Sequence, residues 1–264
     1  MSNSSPPLLK ASNLQLNIPG RVLLDKFDWQ IQTGEMWALI GRNGSGKTSL
    51  LHCLAGLRKA DCGFIELEQQ QQLLKLELLS RKQIALHLAL LQQHTSHSFE
   101  ATVLQMALAG RHPHLGLWQR ESAHDYEVTR AALKAMDLEA LEQRNISSLS
   151  GGENRRLAFA TMLAQQARLL LLDEPSNHLD IGHQVQIMEK LRELVLFQQH
   201  GALIAIHDLN LAARYCSHVL MLFGDGRYLA GRLDEVLSSE RLSQLYQHPI
   251  EQLIWDQGRY FLPG

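Results

Sequence analysis

An α/β fold built around a parallel core sheet is what this sequence predicts, and three segments predict it. The first is Gly41-Arg42-Asn43-Gly44-Ser45-Gly46-Lys47-Thr48, a glycine loop entered from an apolar run and left by helix-patterned sequence. The second is the apolar run at 169–172, which ends in Asp173-Glu174-Pro175. The third, Leu149-Ser150-Gly151-Gly152-Glu153, lies between them and leads into helix-like residues. Strand, glycine loop and helix in that order form the context a phosphate-binding loop requires.

The elements follow in chain order. Residues 1–7 are polar and rich in Ser and Pro, without the basic start and apolar stretch of a secretory signal, and read as a disordered tail. Residues 14–18 and 26–31 alternate apolar and polar at period two, punctuated by Gly20 and Gly34, which predicts an N-terminal antiparallel β subdomain. Residues 36–40 give the buried strand before the loop, and residues 48–57 a helix with Leu50, Leu51, Leu54 and Leu57 on one side. A further strand is expected at 63–67, and the short glutamine run at 69–72 reads as a polar turn.

From about 103 to 143 the pattern is helical, clearest at Ala131, Ala132, Leu133, Ala135, Met136 and Leu138. This predicts an α-helical subdomain, about 94–160, inserted into the fold. Residues 169–172 and 202–206 are continuous apolar runs, as strands buried on both faces show. After Gly224 come a strand and then a helix at 233–246, with residues 249–264 as a C-terminal extension. There is no internal repeat, so residues 8–248 are expected to form one domain.

Composition narrows the function. A chain of 264 residues, 45% hydrophobic, buries a full core without stapling. A formal charge of -2 gives no broad basic footprint, which argues against nucleic acid as a partner. Cys53, Cys62 and Cys216 are odd in number and lack metal-type spacing, so they read as free thiols. No apolar run approaches the ~18 residues of a membrane span.

The chemistry concentrates at the three opening segments. Glycines let the backbone curl so that successive N–H groups face phosphate oxygens, Lys47 places a charge on the β and γ phosphates, and Thr48 offers a hydroxyl to Mg²⁺. Gly41 to Thr48 together with Ser49 therefore predict the phosphate side of an ATP site. A chance match to the fixed positions is on the order of one in a hundred, which leaves little weight for an ordinary glycine turn.

Two carboxylates at the end of a buried strand are costly unless a metal or a reacting water employs them. Asp173 is accordingly expected on the Mg²⁺ shell and Glu174 as the base that polarises water, ahead of the competing reading as an acidic helix cap. Ser150-Gly151-Gly152 forms a second anion-binding nest, with Ser150 also a helix cap. One phosphate loop with two phosphate-binding helix starts implies a head-to-tail dimer in which the second serves a neighbour's nucleotide. His207 ends the run at 202–206, beyond a strand end where ligands bind in α/β sheets. Alone it would read as a buried histidine satisfied by a carbonyl. His94 with His97, and His112 with His114, lack a converging third ligand and read as loop residues.

With these motifs in order, the chain resembles the ATPase subunits of bacterial ATP-binding cassette (ABC) importers over residues 8–249. It is most similar to the branch serving ferric siderophores, haem and vitamin B12, through Gly110-Arg111-His112-Pro113-His114, Asn177-His178-Leu179-Asp180 with His183-Gln184, and His207-Asp208-Leu209-Asn210 followed by Ala212-Ala213-Arg214-Tyr215. The resemblance implies a P-loop NTPase with a RecA-like core sheet. It also implies roles: Gln93 touching Mg²⁺ or water and linking the site to the membrane subunit, Asp180 communicating across the dimer, and His207 sensing the γ-phosphate. The stretch 110–118 is implied to move a permease.

Three positions depart from the branch. Leu-Gln-Gln stands where Leu-Pro-Gln is usual, Ile18 where an adenine-stacking aromatic often lies, and Glu153 where Gln is common. The implied assembly is a homodimer on two transmembrane permease subunits, served by a periplasmic or extracellular solute-binding protein. Its implied place is the cytoplasmic side of the inner membrane, as a peripheral subunit. The rival readings are a soluble cassette ATPase acting on ribosomes or DNA, and a non-catalytic nucleotide switch.

Overall fold

A computed structural model describes residues 5–93, 100–177, 179–256 and 258–264. The chain begins with β1 (Leu9–Ile18) and β2 (Arg21–Ile31), an antiparallel pair longer than the alternation alone predicted. The pairing register shifts between Ala11 and Leu14, and Asn13 and Lys26 both adopt positive φ. Such a bulge flips the inward face, so a period-two reading follows each strand only on one side of it. β3 (Met36–Gly41) then enters the core and α1 (Lys47–Leu54) leaves the glycine loop.

β4 (Cys62–Gln69) and β5 (Gln72–Lys75) form a hairpin whose two-residue turn, Gln70-Gln71, has φ of 51° and 64°. The glutamine run is thus a tight turn of the primed kind, which suits strand twist. Together these strands make an antiparallel sheet in the order β2-β1-β4-β5. α2 (Arg81–His87) and β6 (Leu88–Leu91), neither of them anticipated, complete the first part of the chain.

The helical subdomain follows as α3 (Val103–Leu108), α4 (Ala123–Ala135) and α5 (Gly151–Ala164), with capping boxes at Thr102, Ser122 and Ser150. A 3₁₀ turn over Ala109–His114 contains the whole Gly110 to His114 motif. The motif's first two residues are packed inside the subdomain. A Cβ on Gly110 would sit 2.2 Å from the Thr161 carbonyl oxygen, and the buried Arg111 pairs with Asp125 at 2.8 Å while also donating to the Ala164 carbonyl at 2.9 Å. Hydrogen bonds from Ser122 and Arg111 hold the Asp125 carboxyl well below the usual carboxylate range. Gly110 and Arg111 are therefore enclosed, whereas His112, His114 and Gly116 are exposed and Leu117 and Trp118, at 91% and 95% exposure, present the large apolar surface of the stretch. His114 bonds the Gln165 carbonyl at 2.8 Å through Nε2; His94 and His97 lie outside the described residues.

β7 (Leu169–Asp173), α6 (Ile181–Phe197), β8 (Gly201–Ala205), α7 (Leu209–Tyr215), β9 (His218–Leu222) and β10 (Tyr228–Arg232) finish the core. The helix expected at 233–246 is instead two, α8 (Leu233–Val236) and α9 (Ser239–Tyr246), because Ser238 caps the second and accepts from the Arg241 amide at 3.3 Å. The C-terminal extension folds as a hairpin of β11 (Ile250–Trp255) and β12 (Gly258–Pro263), docked on α7 through Asn210 and Phe261.

The core sheet runs β10-β9-β3-β8-β7-β6, parallel except for the edge strand β10. Both faces are buried, which explains the unbroken apolar runs. Met36, Ala38 and Ile40 join a core shared with α5 and α6, while Trp37 and Leu39 face the core beneath the antiparallel sheet. Cys53 and Cys216 are buried free thiols pushed up to about 11 and about 12 by desolvation, and Cys62 is exposed.

Candidate functional site

The phosphate loop hangs from the carboxyl end of β3. Gly44 and Gly46 take φ of 75° and 102°, a region open to glycine at no steric cost. Gly41 is needed for a different reason, since a Cβ there would lie 2.5 Å from Ser45 Oγ and 2.7 Å from the Leu222 carbonyl oxygen. Lys47 is buried and folds back to donate to the Gly41 carbonyl at 2.8 Å and to that of Arg42 at 3.4 Å. Burial pulls its ammonium below the usual lysine range, with the charges of Glu174 and Asp173 acting in the opposite direction.

Around the loop, Thr48 Oγ1 donates to Asp173 Oδ2 at 2.7 Å. Asp173 Oδ1 and Ser45 Oγ are buried without a partner. Arg42 donates to the Gln247 side chain, and Ser49 Oγ accepts from Arg58 at 3.2 Å. A hydroxyl joined to a buried carboxylate that keeps one oxygen unmatched is an all-oxygen donor set. It fits a hard cation such as Mg²⁺.

Glu174 lies just past β7, with φ of 50° and its amide donating to the Ala205 carbonyl at 3.1 Å. Its Oε2 accepts from Gln93 Nε2 at 2.7 Å and from Asn177 Nδ2, and its Oε1 lies 2.6 Å from His207 Nε2. The topology creates this convergence: the loop, His207, Asp173-Glu174 and Gln93 follow β3, β8, β7 and β6, four neighbouring strands whose carboxyl ends open on one side. Between them is a cleft of ≈ 570 Å³, lined by Ile18 and Leu23 as well as by Lys47, Glu174 and His207. Ile18 thus presents an aliphatic surface to the cleft.

Ser150, Gly151, Gly152 and Asp180 do not line this cleft. Ser150 caps α5, accepting from the Glu153 amide at 3.2 Å, while Glu153 accepts from the Ser150 amide at 2.7 Å. This box needs only an acceptor oxygen at Glu153, so carboxylate serves as well as amide. A Cβ on Gly151 would meet nothing within 4 Å, so the nest faces outward. Asp180 caps α6, accepting from His183 at 2.9 Å, with its side chain 69% exposed. Two residues of the site receive no role from the sequence: Asn177, whose placement three positions beyond Glu174 was the available signal, and Arg155, which no local pattern marks.

A phosphate loop facing a carboxylate-histidine pair across the ends of adjacent parallel strands defines a nucleotide-hydrolysing P-loop ATPase. Residues 24–177 match the ABC transporter family. The hemin import ATP-binding protein HmuV of Deinococcus radiodurans is 39% identical over 94% of this chain and 93% of its own length. The petrobactin import ATP-binding protein FpuD of Bacillus anthracis is 33% identical over 90% and 86%. Among solved structures, an inward-facing ABC transporter described as metal-chelate type aligns over 98% of both chains, with a TM-score of 0.84 and 26% identity. The chain belongs to the ABC transporter family and is an ATPase.

Proposed function

We propose that this chain is the ATP-hydrolysing subunit of a bacterial importer for a metal chelate, ferric siderophore or haem, or for cobalamin. The observation that carries the reading is the Glu174 carboxylate, held by Gln93, Asn177 and His207 on the cleft that Lys47 enters. Glu174 takes the proton of the attacking water, and His207 meets the γ-phosphate side. Lys47 exchanges its loop carbonyls for phosphate oxygens. Gln93, its nitrogen on Glu174, would have its amide oxygen available to Mg²⁺ or the water. Thr48 and Asp173 would hold Mg²⁺, which would supply charge neutralisation of the phosphates.

The outward nest at Ser150-Gly151-Gly152 and the exposed Asp180 belong to the neighbour's site in a head-to-tail homodimer. Ser150→Arg is accordingly expected to leave ATP affinity of the isolated chain within about twofold, by calorimetry, because its own cleft is untouched. The same variant should abolish the ATP-dependent dimer seen by size-exclusion chromatography. A dimer of wild-type stability would refute the neighbour-site assignment.

Two permease subunits form the passage, a solute-binding protein delivers cargo from outside, and this chain docks on the cytoplasmic side. No described helix is long and apolar enough to cross a membrane. Gln93 and the exposed Leu117-Trp118 face the permease. The test is reconstitution with the genomically adjacent permease and binding protein, measuring ATPase activity and uptake of ferric siderophore, haem and vitamin B12 in parallel. Trp118→Ala is expected to lower uptake severalfold while leaving the isolated chain's ATPase unchanged. Failure to associate with any permease, with stimulation by ribosomes or DNA instead, overturns the importer reading.

A further inference from the structure

We propose that Arg155 is a positioning residue that holds Glu174 and the Gln93 segment in register from the first turns of α5. Each N–H group of its guanidinium donates to a main-chain carbonyl. Nε reaches Pro175 at 3.2 Å, Nη1 reaches Gln92 and, at 3.2 Å, Gln93, and Nη2 reaches Asp173 and Glu174 at 2.7 Å each. The side chain is buried, and burial lowers the guanidinium pKa while the charges of Asp173 and Glu174 raise it.

The clamp acts where the backbone needs holding. Glu174 sits in the left-handed region, which a non-glycine residue keeps only when its surroundings enforce it. Two of the clamped carbonyls belong to Glu174 and the residue before it, and two more to Gln92 and Gln93, whose side-chain amide reaches Glu174 at 2.7 Å. The same guanidinium thus sets the base and one of the groups that orients it. It also ties both to the helix that begins at Ser150-Gly151-Gly152, the segment read above as the neighbour's phosphate nest. Arginine is required because only its planar fork presents five donors in fixed directions, whereas a lysine ammonium concentrates three on one atom.

The inference rests on Glu174 being the hydrolytic base, and the test separates the two. In the full-length chain, Arg155→Lys is expected to lower kcat at least about tenfold with KM for ATP within about twofold and a cooperative melting transition retained, the pattern of lost orientation and not lost binding. In a Glu174→Gln background the same substitution is expected to lower the residual single-turnover rate by less than about twofold, because a residue acting through the base has no base left to act on. Should Arg155→Lys not fold, Arg155→Gln is read by the same criteria. A folded variant with kcat within twofold of wild type overturns the proposal, as does an equal loss in both backgrounds or failure of both variants to fold. Wild-type turnover in Glu174→Gln alone overturns the reading beneath it instead.

Discussion

Glu174→Gln is expected to lower steady-state phosphate release about 10²- to 10⁴-fold, the usual cost of removing a general base, while ATP remains bound. The geometry explains why binding and folding survive. Oε2 already accepts from Gln93 and Asn177, and Oε1 meets His207 Nε2, so a glutamine can turn its oxygen to the two amides and its nitrogen to the imidazole. Every contact then has a donor and an acceptor, and only the capacity to take a proton is lost. Phosphate release measured against calorimetric ATP affinity checks this. Turnover within a few-fold of wild type would remove Glu174 from the mechanism.

Lys47→Ala acts on binding. The ammonium is buried, and its partners are loop carbonyls at 2.8 and 3.4 Å, so the chain holds a desolvated charge aimed along the phosphate loop. Phosphate oxygens give that charge stronger partners than carbonyls do. Loss of a charged hydrogen bond, roughly 1.5–3 kcal/mol, corresponds to a drop in ATP affinity on the order of 10- to 100-fold. The alanine also leaves the Gly41 and Arg42 carbonyls without this donor, which loosens the loop in the same direction. Titration calorimetry with ATP is the measurement, and unchanged affinity would contradict the role given to the loop.

The two variants divide the cleft by function. A turnover defect with intact affinity belongs to the strand ends of β6, β7 and β8, and an affinity defect to the loop after β3. A variant set in which both properties always fell together would mean that the cleft had collapsed.

Much of this was legible in the amino-acid order, because it depends on groups within a few residues of one another. The glycine loop, Lys47 and Thr48 form one continuous segment, and Ser150 with Glu153 completes a capping box inside one helical turn. Buried core strands showed as unbroken apolar runs. Other features were illegible for local reasons: the bulge at Asn13 interrupts the alternation of β1, and a serine cap at Ser238 divides a continuous-looking helix. Arg111 was drawn toward a permease by its motif, yet its guanidinium is sealed against Asp125 inside the helical subdomain. Burial is a property of the packed chain, which a motif does not record.

The sequence by itself determined the phosphate loop, the capped helix start at Ser150-Gly151-Gly152 and the presence of a carboxylate pair at a strand end, since local backbone conformation and residue chemistry suffice for each. Only the tertiary structure decided that Gln93, Asn177 and His207 meet on Glu174 and that Arg155 clamps the segments beneath them. The reason is the strand order. Along the chain Gln93 follows β6 and comes first after the loop, with Glu174 and His207 later, but in the sheet β8 lies beside β3 and β6 lies at the edge. Parallel crossovers reverse the order of the strand ends, and the hydrogen bonds across the cleft follow the sheet.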